Sequence, residues 1–228
     1  VIKKGNITMG NRDTYDQSLR DLDDKILAMA GHAADAVESA MGALENSNLA
    51  AAQAVVEGDD RIDREEHAIE HLCLGLIACQ QPVAGDLRKI STAMKVVTDL
   101  ERLGDAAEDI AEITLRRGNE VIPELLSVLS ATGREAVSMI RSAIAAYASE
   151  DLTLAAKVIA QDDVVDNYFS EIKQKLTKYF AQEHPEIDCA IDYLMIAKYL
   201  ERIGDHAVNL AEWVQFCKTG IHKHQRIV

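Results

Sequence analysis

The sequence predicts an all-α protein built as two tandem, similar three-helix bundles, and three observations lead there. Composition comes first: 48% of the 228 residues are hydrophobic, only 4% are aromatic and three are proline, which suits packed aliphatic helices better than a sheet. Hydrophobic spacing near 3.6 residues then divides the chain into six long segments with no strand signal between them. Last, the chain repeats itself. Leu100 to Asp105 reads Leu-Glu-Arg-Leu-Gly-Asp, and Leu200 to Asp205 reads Leu-Glu-Arg-Ile-Gly-Asp. The match continues on both sides: Asp105 to Glu112 is echoed by Asp205 to Glu212, Asp59 and Asp63 by Asp162 and Asp166, and Pro82 by Pro185. The offset is 100 residues at the motif and 103 upstream, so about three residues were gained or lost near the start of one motif helix.

Each helix follows from its periodic stretch and its punctuation. Helices are expected over 14–45, 49–80, 86–117, 122–149, 152–182 and 187–218. They are separated by Asn46-Ser-Asn48, the Pro- and Gly-containing run from Gln80 to Gly85, Gly118-Asn119 with Pro123 just inside the next helix, Ser149-Glu-Asp151, and His184-Pro185. Short connections make consecutive helices antiparallel neighbours. The expected organisation is a flexible segment over 1–14, a first bundle over 15–118, a second over 119–218 and a tail over 219–228.

That topology sets acids beside acids. Reflection about the turn at 81–85 brings Asp59 and Asp63 level with Glu101 and Asp105, and reflection about Pro185 brings Asp162 and Asp166 level with Glu201 and Asp205. At about 100° per residue, Glu101, Asp105, Glu108, Asp109 and Glu112 share one stripe, away from Val96, Leu100, Leu103, Ala107 and Ile110. Glu201, Asp205, Asn209 and Glu212 do the same opposite Ile196, Leu200, Ile203, Ala207 and Leu210, and Asp59, Asp63, Glu66 and Glu70 line one face of the second helix. The acids are therefore expected to face outward from the core. Stacked like charges cost roughly 0.2 to 0.5 kcal/mol per pair four residues apart, and a bound cation reverses that sign. Carboxylate oxygens on facing helices suit magnesium, calcium, manganese or iron, and zinc can use the same oxygens. Gly104 and Gly204, inside the motif helices, mark either close helix approach or room for ions. Arg102 and Arg202 are read as salt-bridge or partner-binding candidates, and His206 as a packing or surface residue.

Several classes are disfavoured. A formal charge of -14 repels nucleic acid and anionic lipid. No apolar run reaches the ~20 residues of a membrane span and the amino end lacks a secretory pattern, so membrane insertion is not expected and a cytoplasmic location is. Cys73, Cys79, Cys189 and Cys217 form no CxxC and read as reduced, packed thiols. No glutamate precedes a histidine by three residues, which disfavours a ferritin-like diiron centre, and no nucleotide-binding or nucleophile motif is present, so the chain reads as a non-enzyme.

Residues 99–105 (Asp-Leu-Glu-Arg-Leu-Gly-Asp) and 199–205 (Tyr-Leu-Glu-Arg-Ile-Gly-Asp), with 81–88 (Gln-Pro-Val-Ala-Gly-Asp-Leu-Arg), closely resemble the PhoU family of phosphate-specific transport accessory proteins. The resemblance spans about Tyr15 to Lys218. It implies two three-helix bundles that bind metal ions, iron or zinc among them, through E/DxxxD motifs. It further implies a negative regulator of phosphate uptake and of the phosphate-starvation response, acting on the ATPase of a phosphate ABC transporter and on a sensor histidine kinase, with a homodimer among the candidate assemblies. Carried over by motif, the first metal set is Glu101, Asp105 and Asp109 with Asp59, Asp63 and Glu66. The second is Glu201, Asp205 and Asn209 with Asp162 and Asp166. Phe169 and Lys173 stand where the first half has Glu66 and Glu70, so the second site is expected to hold less charge. A metal-buffering protein and a metal-free helical scaffold are the alternative readings.

Overall fold

The structure, a computed structural model, describes residues 11–79, 82–182, 187–223 and 225–226. It contains α1 (Asn11–Asn46), α2 (Leu49–Cys79), α3 (Ala84–Arg117), α4 (Pro123–Ser149), α5 (Leu152–Phe180) and α6 (Ile187–Thr219). A two-residue antiparallel pairing, β1 (Ile221–His222) with β2 (Gln225–Arg226), follows.

The repeat is visible in the local chemistry that ends one helix and starts the next. Ser47 and Glu150, 103 residues apart, both take a left-handed backbone with φ of 48° and 52°. The next residues fold their N–H groups back, Asn48 to the Ala43 carbonyl at 2.9 Å and Asp151 to the Ala146 carbonyl at 3.0 Å. The same two residues then cap the following helix. Asn48 Oδ1 accepts from the Ala51 N–H at 3.1 Å, and Asp151 Oδ1 from those of Thr153 and Leu154 at 2.8 and 3.1 Å. Gly118, at φ 63°, closes α3 by donating to the Thr114 carbonyl at 3.1 Å, and Pro123 opens α4 where a missing N–H costs nothing.

Helices α1, α2 and α3 pack together, as do α4, α5 and α6, and the bundles meet through α3 on α6 and α1 on α4. Among the described residues, helices α2 and α5 touch only helices of their own bundle, so they form the outer walls. The central pair is buried along the faces that sequence periodicity assigns to the core: Leu100, Leu103, Ala107 and Ile110 in α3, and Leu200, Ile203, Ala207 and Leu210 in α6. Each fully buried Leu or Ile contributes about 1.5–3 kcal/mol relative to exposure. Arg117 closes the top of α3 inside the core, its Nη2 3.4 Å from the Leu44 carbonyl and its guanidinium 5.5 Å from the Tyr193 ring centroid.

Two boundaries differ from the sequence reading. Helix α1 begins at Asn11, inside the segment expected to be flexible; residues 1–10 lie outside the described residues. Gln80 and Gln81 of the Gln80–Gly85 connection, and the His184–Pro185 connection, share that status. At the other end α6 runs through Thr219, and the expected tail folds back as the short pairing. There His222 stacks on Trp213 with ring centroids 4.0 Å apart, so these side chains, which stand alone in the sequence, form a cluster. Cys73 and Cys189 are buried free thiols and Cys217 is a partly buried one. Burial pushes the Cys73 thiol up to about 11, which keeps it unreactive.

Candidate metal centre

The antiparallel packing of α2 on α3 places Asp59, Asp63 and Asp105 so that one carboxylate oxygen from each lies within 4.8 Å of the other two. No other group of three acids, histidines or cysteines among the described residues converges so closely. Gly104 makes the approach possible. A Cβ there would stand 2.9 Å from Asp59 Oδ1 and 3.0 Å from Ile62 Cδ1, so the glycine admits the α2 aspartate itself. Helix approach and room for the acidic group are one requirement at this position.

Around that trio the carboxylates are not free on the surface, as the wheel predicts, but set into the groove between the helices. The Glu101 side chain is only 15% exposed and its Oε2 lies 3.2 Å from Arg102 Nε, an ion pair without an aligned hydrogen bond. Arg102 also donates through Nη1 to Asp105 Oδ2 at 2.6 Å, in agreement with a salt-bridge role. Burial, and then the charge of Asp105, pushes Glu101 up to about 7. Burial followed by Asp63 and Asp105 pushes Asp59 to about 6. Glu108, on the stripe but absent from the motif set, shares a hydrogen bond with Asp59 and is itself raised to about 6 by burial and by Asp59. Glu66 is raised by burial and by Glu70, and Thr98 beside it works in the opposite sense. The group is thus a set of acids held closer than mutual repulsion favours, which is the condition a cation relieves.

Asp109 and Asn209 are not brought into the clusters. They turn to the seam between α3 and α6, where Asn209 Nδ2 donates to Asp99 Oδ1 at 3.1 Å and Asp109 shares a hydrogen bond with Tyr199. Asp99 and Tyr199 are 100 residues apart, and so are Asp109 and Asn209; the repeat crosses over itself at this seam. His206 Nδ1 joins the first of these contacts at 2.8 Å from Asp99 Oδ1, and Arg202 acts electrostatically on Asp109 and Tyr199. His67 is 77% exposed and lies 4.0 Å from Glu70, away from the trio.

In the second half Asp162 is raised to about 6, by burial first and then by Asp166 and Asp205. Asp205 is raised by burial and by Glu201. Asp166 and Asp205 are exposed, and Glu201 is ion-paired with Lys198. Around Gly204 the packing is looser, since a Cβ would meet Asp162 Oδ1 and Val165 Cγ1 at 3.4 Å. Lys198 is a residue the motif alone does not reveal; its position opposite Thr98 in the repeat is the signal that could have found it.

Two tandem three-helix bundles, crossed on their motif helices and carrying an acidic cluster where each motif helix packs on its outer helix, define a distinct class of helical protein. The chain belongs to the PhoU domain family, whose model matches residues 26–114 and again 129–214. It is 35% identical over 210 residues to a Clostridium acetobutylicum phosphate-specific transport system accessory protein PhoU homolog, covering 92% of this chain and 96% of that one. It is 29% identical over 206 residues to phosphate-specific transport system accessory protein PhoU of Escherichia coli, covering 90% and 86%. The crystal structure of PhoU from Pseudomonas aeruginosa superposes with a TM-score of 0.88 at 33% identity, covering 91% of this chain and 100% of that one. That of a phosphate transport system regulatory protein PhoU from Streptococcus pneumoniae gives 0.83 at 26%, covering 91% and 98%.

Proposed function

We propose that this protein is a regulatory accessory factor of a phosphate transport system that acts by binding, and that it represses phosphate uptake and the starvation response when phosphate is plentiful. The observation that carries the reading is full-length similarity, across both bundles, to proteins named for that role. Its targets are the transporter's ATPase and a sensor histidine kinase, whose conformational equilibria it biases by preferring one state of each.

A metal ion belongs to the same proposal. The donor set of Asp59, Asp63 and Asp105 is all oxygen and converges within 4.8 Å, which fits a hard or borderline cation such as manganese, iron, magnesium or calcium, with zinc as a weaker match. Glu101, Glu66 and Glu108 stand around it as further donors or proton holders. Bound metal supplies positive charge that cancels the mutual repulsion of these acids. What the chain does with that charge is electrostatic: α2 and α3 present a less negative face to a partner, and binding responds to ionic strength.

The test is a phosphate-starvation reporter in a deletion strain at high phosphate, complemented by the wild type or by an Asp59→Asn, Asp105→Asn variant. Deletion should derepress the reporter and the wild type should silence it. A reporter that stays silent without the protein rejects the regulatory reading. Complete silencing by the variant keeps the regulator and removes the metal from its mechanism.

A further inference from the structure

The two acidic clusters differ on one flank. In the first half, Glu66 lies beside Thr98 and feels the charge of Glu70. The residues one repeat away are Phe169, Lys198 and Lys173. The same contact is kept with its chemistry reversed: Lys198 lies over the Phe169 ring at 5.7 Å from the centroid, Lys173 over it at 4.6 Å, and Lys198 reaches on to an ion pair with Glu201. Ammonium groups within about 6 Å of an aromatic face are held there by the ring quadrupole. Where the first flank carries two negative charges, the second carries two positive ones, while Asp162, Asp166, Glu201 and Asp205 match Asp59, Asp63, Glu101 and Asp105 acid for acid.

We propose that the second acidic cluster is compensated by Lys198 and Lys173 and closed to metal, so that the chain loads cations in its first half alone. The inference rests on the metal reading of the first cluster. In the first half a dication has only to move Arg102 from Glu101 and Asp105, with Glu66 and Glu70 adding attraction nearby; in the second, one approaching Glu201 must displace the Lys198 ammonium and then sit near the Lys173 charge, with no acid in the places of Glu66 and Glu70. That repulsion, added to the absence of a third converging carboxylate, weakens binding by at least about tenfold relative to the first half. Loading is then one-sided. Metal changes the charge of the α2–α3 face and leaves the α5–α6 face as it was, so a partner that responds to metal docks on the first bundle.

Titration of the full chain with Mn2+, with free ion read by electron paramagnetic resonance, tests this. The Asp162→Asn, Asp205→Asn variant should titrate like the wild type, and Asp59→Asn, Asp105→Asn should lose its sites. Converting the flank to its first-half counterpart, with Phe169→Glu, Lys173→Glu and Lys198→Thr, should add Mn2+ sites that persist when Asp59→Asn and Asp105→Asn are also present. The proposal is overturned if Asp162→Asn, Asp205→Asn removes Mn2+ from the otherwise unchanged chain, or if the converted flank gains none while circular dichroism shows intact helix. Should the triple change lose helix, Lys198→Thr alone, at a side chain 48% exposed, is scored by the same criterion. A wild type that takes up no Mn2+ sinks the metal reading of the first cluster, and the converted flank then decides this inference by itself.

Discussion

Gly104 and Gly204 occupy equivalent places in the repeat, yet the space around them differs by a few tenths of an ångström. Both sit inside long helices, where replacing glycine by alanine gains up to about 1 kcal/mol in backbone propensity. At Gly204 the new Cβ would find ordinary contact at 3.4 Å, so Gly204→Ala should realise most of that gain. At Gly104 the same methyl would stand 2.9 Å from Asp59 Oδ1, and the Asp59 carboxylate would have to move. Gly104→Ala should therefore stabilise less, or not at all, and should also disturb the group formed by Asp59, Asp63 and Asp105. Chemical denaturation of the two variants decides it; equal stabilisation would count against the close approach described here.

At the scale of elements, helix boundaries are set by a few polar side chains more than by the apolar periods between them. Asp151 satisfies two otherwise unpaired N–H groups at the start of α5, and Asn48 does the same for one at the start of α2. Removing such a cap costs roughly 1 kcal/mol. Asp151→Ala should lower stability by about that amount, and Asn48→Ala by no more, as read by urea unfolding of the metal-free protein. Among the described residues helices α2 and α5 contact only their own bundles, so the loss should appear without rearrangement of the α3–α6 seam. The outer helices also carry the chemical difference between the halves, since Glu66 and Glu70 lie on α2 and Phe169 and Lys173 on α5.

For the whole molecule, the balance of charge makes stability depend on pH in a sign that can be worked out. Glu101 is raised from 4.5 to about 7, and Asp59 and Asp162 from 3.8 to about 6, chiefly by burial and then by neighbouring carboxylates. A carboxyl raised in the folded state holds its proton longer than in the unfolded chain, so folding is favoured in full below about pH 4 and that contribution is lost as pH climbs through 6 to 7. In chelator, the melting temperature should fall between about pH 5 and about pH 8. Asp59→Asn with Glu101→Gln should flatten the slope. Added metal should offset the loss at the upper end, because the ionised carboxylates are then paired with a cation.

Much of this was legible before any coordinates. The duplication, the six helices and their core faces follow from periodicity and from the paired Leu-Glu-Arg motifs, because burying an apolar stripe is a local, periodic requirement. The level placement of Asp59 with Asp105 and of Asp162 with Asp205 follows as well, since a short antiparallel turn leaves little freedom in register. No helix among the described residues is long and apolar enough to cross a membrane. Tertiary structure alone decided which acids converge. Asp109 and Asn209 share a wheel face with the motif acids, but the crossing of α3 on α6 claims them for Tyr199 and Asp99, and no pattern within one helix encodes its angle to a distant one. The same holds for the depth of Glu101 in its groove and for the ammonium of Lys198 on Glu201. Sequence specifies which side chains are available along each face, whereas distance and desolvation, which set their charge and their partners, exist only once the helices are packed.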